Sequence, residues 1–259
     1  MSVKDKIVLI AGGADNTGKL AAMKFAKEGA RLLLCDISQE KLDNTVAELR
    51  AMGAEAHGAQ YDAGKPEEIE RAFAELIKVY GDIDVLINVV GIGGPTAPVQ
   101  DITIEQWDQV FAIDVRAVFH FIKLAAPYMI KKKEGKIVSM ASMSGLHSLA
   151  NRAPYCAAKI AVVGLTRALA KELGVHNINV NCVCPSNMDG AHGTMVLQKQ
   201  ADALGITLEE RIEQELEPYC LKRRIPMNDV AEMMLFLSDD ERSHSITGQD
   251  MAVSGGFYV

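Results

Sequence analysis

Short, unbroken apolar runs recur along the chain, and between them apolar residues fall at helical spacing. Lys6–Ala11 (KIVLIA), Arg31–Asp36 (RLLLCD), 83–88 (IDVLIN), 135–141 (GKIVSMA) and 178–184 are such runs. Strict alternation would mark a strand with one wet face, whereas a continuous run marks a strand buried on both. After the first run, Ala22, Phe25, Ala26 and Gly29 stand at i, i+3, i+4 and i+7, one face of a helix over 17–29. Further helices are predicted at 39–52, capped by Ser38 and stopped by Gly53, and at 66–80, opened by Pro66. Two more follow, a long one at 105–132 and another at 154–174. A weaker strand near 55–60 and a last one at 248–253 bring the number of strands to about seven. Strands of this kind, joined by amphipathic helices, pack as a parallel sheet covered on both faces. The expected class is α/β and doubly wound.

The architecture is thus Rossmann-type, and 259 residues suit a single such domain spanning 1–259. Residues 186–225 interrupt the rhythm. They are long for a strand-to-helix connection, so a substrate-covering flap is expected there, with a helix in ITLEERIEQELEPY. No run of about 18 apolar residues occurs, and the N-terminal apolar run enters a glycine turn at once, unlike a signal peptide. The net charge is −7, and Lys131–Lys133 is the one basic cluster that stands out. Neither nucleic acid nor membrane is therefore expected as a partner, and a cytoplasmic location is. Five irregularly spaced cysteines (35, 156, 182, 184 and 220) read as buried, reduced thiols, with no metal set among them.

Chemistry concentrates at strand ends. Ala11-Gly12-Gly13-Ala14-Asp15-Asn16-Thr17-Gly18 follows the first strand and opens a helix. Glycines there let backbone amides approach a pyrophosphate, and the helix N-terminus favours its charge. Asp36 ends the second strand, where a carboxylate can accept hydrogen bonds from an adenosine ribose diol and would repel a 2′-phosphate. That favours NAD over NADP. Tyr155 and Lys159 stand at i and i+4 and share a helix face. A free phenol titrates near pH 10, roughly three units above what neutral acid/base catalysis wants. Burial alone would push it further up, so a neighbouring cation must act, and Lys159 is the candidate. Ser142 lies just past a strand's carboxyl end, where ligands bind in open sheets.

Together these features resemble the short-chain dehydrogenase/reductase family over essentially the whole chain. Asp62 and Ala63 in QYDAG match the family's aspartate segment beside the adenine. Asn88-Val89-Val90-Gly91 stands where the family has Asn-Asn-Ala-Gly, and VNCVCPS (180–186) matches the segment beside the nicotinamide. The resemblance implies Tyr155 as general acid/base, with Lys159 lowering its pKa and holding the nicotinamide ribose. Ser142 would hydrogen-bond the reacting oxygen. Gly12, Asp15, Asn16, Thr17, Gly18, Asp36, Asp62, Ala63, Asn88, Gly91, Pro185 and Met188 would join Tyr155 and Lys159 in binding the cofactor. A homotetramer, or a homodimer, is implied through the helices at 105–132 and 154–174 and the C-terminal strand, with the apolar tail FYV (257–259) at a neighbour.

Several positions depart from the family pattern. Asp114 occupies the place of the catalytic asparagine, and an ionised aspartate only accepts hydrogen bonds where asparagine also donates. Asn16 replaces a loop glycine, Ser186 replaces the glycine after Pro185, and Gly190 stands where a threonine often contacts the carboxamide; Thr194 is a candidate substitute. The leading reading is an NAD-dependent enzyme on a secondary alcohol or ketone. A dinucleotide-binding sensor and an epimerase or dehydratase using the same site are the alternatives. His147, Asn151, Arg152, Asn187 and His192 suggest a polar, anionic substrate, while Glu209, Glu210, Glu213 and Glu215 read as the wet face of the flap helix.

Overall fold

The computed structural model describes residues 3–257, apart from the side chains of residues 191, 192, 196, 199, 200 and 203. Its first half repeats one unit: β1 (Ile7–Ala11), α1 (Asn16–Lys27), β2 (Arg31–Asp36), α2 (Gln39–Ala51), β3 (Ala56–Gln60), α3 (Pro66–Tyr80) and β4 (Val85–Asn88). The second half runs α4 (Ile104–Phe111), α5 (Ala117–Lys132), β5 (Gly135–Met140), α6 (Met143–Leu146), α7 (Ala153–Gly174) and β6 (Ile178–Pro185). Then come α8 (Ala191–Leu204), α9 (Leu208–Leu216), α10 (Met227–Leu237), α11 (Asp240–Ser243) and β7 (Asp250–Val253).

The strands form one parallel seven-stranded sheet in the order β3-β2-β1-β4-β5-β6-β7. The predicted doubly wound sheet with helices on both faces is therefore present. Alternate residues of each strand feed two cores. Val8, Ile10, Leu32, Leu34 and Ile87 pack with Phe25 and Leu42 on one face. Leu9, Leu33, Leu86 and Ile137 pack with Ile69, Leu76 and Phe121 on the other. Each such side chain contributes roughly 1.5–3 kcal/mol by leaving water.

Four expectations need correction. The helix predicted over 105–132 is continuous but carries an unforeseen π turn, Ala112–Arg116, between α4 and α5. The widened turn directs the Asp114 carboxylate inward, where a backbone N–H and a lysine meet it. The flap carries two helices, α8 and α9, rather than one. The helix α10 was not anticipated, although Pro226 and the stripe Val230, Ala231, Met234 and Leu237 announce it. It buries that stripe in the core cluster that holds Ala21, Ala22 and Phe25 of α1. Finally, four of the five thiols are buried as expected, but Cys220, in the turns after α9, is exposed. Among the described residues no helix is long and apolar enough to cross a membrane, and no cluster of metal-ligating side chains forms. Of the FYV tail, only Phe257 lies within the described residues.

Candidate active site

Strand order reverses between β1 and β4, whose chain neighbours leave in opposite directions. A crevice opens at the carboxyl ends of strands at such a switch point. Here it is a cleft of about 950 Å³ running from Asp36 and Asp62 past Tyr155 to the flap.

Bare backbone builds the turn from β1 into α1. Gly12 has φ +80°, and a β-carbon there would lie 2.9 Å from the Val90 nitrogen. A β-carbon at Gly18 would stand 1.9 Å from the Gly12 carbonyl oxygen, so no larger residue lets the turn close. Asn16 takes the left-handed conformation, φ 46°, as its replacement of a glycine requires. Asp15 caps α1 by accepting from the Asn16 N–H, and it also pairs with Lys41. Asn16 and Thr17 line the cleft at the start of α1, where helix amides lack partners within the helix. An extended phosphate diester suits that surface.

The Asp36 carboxylate accepts from the Ala14 N–H at 3.1 Å and the Ser38 N–H at 3.2 Å. Each oxygen keeps lone-pair capacity towards the cleft, which Asp36 lines. Asp62 accepts from the Gly64 N–H and, with Ala63, forms the next stretch of wall. Gly12, Asp15, Gly91, Pro185 and Met188 also line the cleft. Gly18 acts from behind it, through the turn. Asn88 is buried on β4, where its Nδ2 donates to Ser139 Oγ at 3.2 Å, and it is not on the cleft wall.

Ser142 follows β5 and caps α6, its Oγ accepting from the Ser144 N–H at 3.1 Å. Its own proton remains free to donate. Tyr155 sits in the first turn of α7, and both Ser142 and Tyr155 line the cleft. Lys159, one turn on, is 2 % exposed. Its Nζ lies 5.6 Å from the centre of the Tyr155 ring and donates to the Met140 carbonyl at 3.3 Å. The guanidinium of Arg152 covers the same ring at 4.8 Å, so two cations flank the phenol.

Behind this pair lies Asp114, fully buried. Its Oδ1 accepts from the Ile92 N–H at 2.7 Å. Its Oδ2 stands 3.0 Å from Lys159 Nζ as an ion pair, outside hydrogen-bonding alignment. Gly91 lets the chain pass over the pair, since a β-carbon there would meet Nζ at 3.0 Å and Oδ2 at 3.1 Å. Burial alone would lower the pKa of the Lys159 ammonium. The charge of Asp114, then that of Tyr155, outweighs burial and holds it above the ordinary lysine range.

On the flap side, Thr17 Oγ1 donates to Met188 Sδ at 3.5 Å, tying the glycine turn to the strand end after β6. Thr194 is absent from the cleft wall; its hydroxyl donates to the Gly190 carbonyl and accepts from Arg224 Nη1. Of the polar residues flagged for substrate, Arg152 and Asn187 line the cleft, whereas His147 and Asn151 do not. The His192 side chain lies outside the described residues. Glu215 corrects the flap reading. It is 9 % exposed and faces the cleft with Arg211 and Gln214, while Glu209, Glu210 and Glu213 are exposed as expected. The i, i+4 spacing of Arg211 and Glu215 was the available signal.

Residues 6–201 match the family model described as short chain dehydrogenase. Over 259 residues, the chain is 32% identical to a 3-oxoacyl-[acyl-carrier-protein] reductase of Thermotoga maritima, with all of both chains covered. A structure of NAD+-bound xylitol dehydrogenase superposes with a TM-score of 0.92 at 29% identity, covering 99% of this chain and 100% of that one. An actinorhodin polyketide ketoreductase with NADPH gives 0.91 at 31% identity, with 98% and 97% covered. Dehydrogenases and ketoreductases are what the chain is similar to, which disfavours the sensor and the epimerase or dehydratase.

Proposed function

The chain belongs to the short-chain dehydrogenase family of nicotinamide-dependent oxidoreductases, and on that premise we propose that it interconverts a secondary alcohol and its ketone, using NAD in preference to NADP. The observation that carries the reading is that Ser142 and Tyr155 both line the cleft, with the Lys159 ammonium 5.6 Å from the centre of the Tyr155 ring. A nicotinamide dinucleotide bound there supplies the acceptor or donor of the hydride.

The protein's own groups handle the proton. Ser142 donates a hydrogen bond to the substrate oxygen and holds the reacting carbon at a fixed distance. As the alcohol is oxidised, the hydride leaves carbon and the hydroxyl proton passes to the Tyr155 oxygen; reduction runs both transfers backwards. Positive charge on Lys159 and Arg152, close to the ring, stabilises the phenolate that takes up the proton in oxidation and is left behind in reduction. Asp114 keeps Lys159 protonated for that purpose. Gly12, Thr17 and the first turn of α1 take the pyrophosphate. Asp36 accepts from the adenosine ribose and repels a 2′-phosphate, with Asp62 and Ala63 at the adenine end. Phe119 and Ile160, apolar and exposed on α5 and α7, suit burial in a homotetramer, which light scattering would measure.

The test is purified protein supplied with NAD+ or NADP+ and a panel of secondary alcohols, read by absorbance of reduced cofactor. Turnover faster with NAD+ is expected. Tight NAD binding without turnover of any alcohol or ketone would restore the sensor reading.

A further inference from the structure

The flap wall of the cleft carries hydrogen-bonding capacity that the protein leaves unspent. Glu215 Oε1 accepts from Asn187 Nδ2 at 2.6 Å, but Oε2, equally buried, has no hydrogen-bond partner among the described residues. A buried charged oxygen without a partner costs more than almost any other polar group. On the same wall, Arg224 spends its two terminal nitrogens on Thr194 and the Met188 carbonyl, while its buried Nε is also unmatched. Glu215 and Arg224 both line the cleft that holds Ser142 and Tyr155. One buried acceptor and one buried donor, on two residues that line the cleft, are thus left without a partner among the described residues.

We propose that Glu215 is a specificity-determining residue that receives a second hydroxyl of the substrate, so that the enzyme takes polyols or hydroxyketones rather than simple secondary alcohols. This rests on the dehydrogenase reading above. A hydroxyl is the common neutral group that both donates and accepts, which matches an unpartnered carboxylate oxygen and an unpartnered guanidinium N–H. Arg152, Arg211 and Arg224 on the same walls repel an ammonium, the other strong donor to a carboxylate. Glu215 in turn repels an anionic group at this spot. The Asn187 amide fixes the rotamer of Glu215, and the Tyr219 hydroxyl accepts from the Asn187 backbone N–H at 3.2 Å, so the acceptor is held by a buried frame rather than by a free surface chain. A site built to receive a hydroxyl rejects the analogue lacking it, because the carboxylate oxygen is then left buried and unmatched.

The experiment compares C4–C6 alkan-2-ols with their matched vicinal diols and with sugar alcohols of the same length, with the corresponding ketones in reverse. In the wild type, kcat/KM for the best hydroxylated substrate should exceed that of its mono-hydroxyl match by about a hundredfold or more. Glu215→Gln should shrink that ratio at least tenfold, mainly through KM, and Glu215→Asp, which keeps the charge, should retain part of it. Quenching of reduced-cofactor fluorescence checks that each variant is folded. A wild-type ratio near one, or a ratio that Glu215→Gln leaves intact, overturns the proposal; the wild-type comparison decides even if a variant fails to fold. An equal loss on every substrate, with a raised KM for cofactor, would assign Glu215 to the cofactor and also overturn it. Turnover of neither class would instead withdraw the dehydrogenase reading itself.

Discussion

The two walls of the cleft satisfy their polar groups in opposite ways. On the wall proposed for the nucleotide, Asp36, Asp62 and Asp15 are each anchored by backbone N–H groups of their own turns. The glycines between them close the backbone so tightly that a single added carbon collides. That wall is complete before any ligand arrives. On the flap side, helices α8 and α9 and the segment after them bring Glu215 and Arg224 to the cleft with atoms still unmatched. A wall that is finished in advance costs little to order on binding, whereas one with unmatched groups discriminates among ligands by what they satisfy. The proposed catalytic group is Tyr155, with Lys159 and Arg152 at its ring.

That contrast can be broken or sharpened by substitution. The largest effect is expected at the seam. Tyr155→Phe removes the proton-carrying oxygen and should lower kcat by about 10²–10⁴-fold, with NADH binding retained in a fluorescence titration. Unchanged turnover would mean that the walls meet at some other group. Next comes Gly18→Ala, whose new carbon falls 1.9 Å from the Gly12 oxygen. Forcing the turn open costs about 1–3 kcal/mol, seen as a lower Tm and roughly tenfold or greater loss of cofactor affinity. Native affinity in this variant would show the nucleotide wall to be soft rather than pre-formed. Asp36→Asn removes the charge but keeps the shape, and should raise the NADP-to-NAD preference about tenfold, a change of about 1.4 kcal/mol. Steady-state kinetics with both cofactors measures it, and an unmoved ratio removes Asp36 from cofactor choice.

The smallest effect concerns the ion pair under the seam. The Lys159 pKa is raised above its usual 10.5, so the pair's contribution is full below that value and is lost as pH climbs through the raised one. Asp114→Asn takes away the charge that raises it, and the loss then begins at lower pH. The alkaline limb of the pH–kcat profile, and of Tm against pH, should move down by roughly half a unit or more. Superimposable profiles for the two proteins would uncouple Asp114 from the chemistry.

The nucleotide wall was largely legible in the sequence because local chemistry dictates it: glycines at a strand-to-helix turn, and carboxylates at the ends of β2 and β3. The Tyr155–Lys159 pair was legible for the same reason, being set by the pitch of one helix. The rest depends on contacts between distant segments. Arg152 precedes Tyr155 by three residues, yet its place over the ring depends on Thr96, which accepts from Nη1 at 2.9 Å from another part of the chain. Glu215 sits among four glutamates, and only packing against Asn187 separates it from its three wet neighbours. The π turn between α4 and α5 was not legible, because what marks it is a long-range contact, the Asp114 carboxylate meeting the Ile92 N–H and Lys159.

The π turn at Ala112–Arg116 also keeps apart two things that a change of length would otherwise alter together. Such a turn holds one residue more than the α turn it replaces. Shortening it by one residue would restore regular helix and leave Val118, Phe121, Ile122, Ala125 and Met129 facing the sheet they now cover. The same deletion would remove the widened turn that carries the buried carboxylate to its lysine. Loss of one residue at this point would therefore damage turnover more than folding.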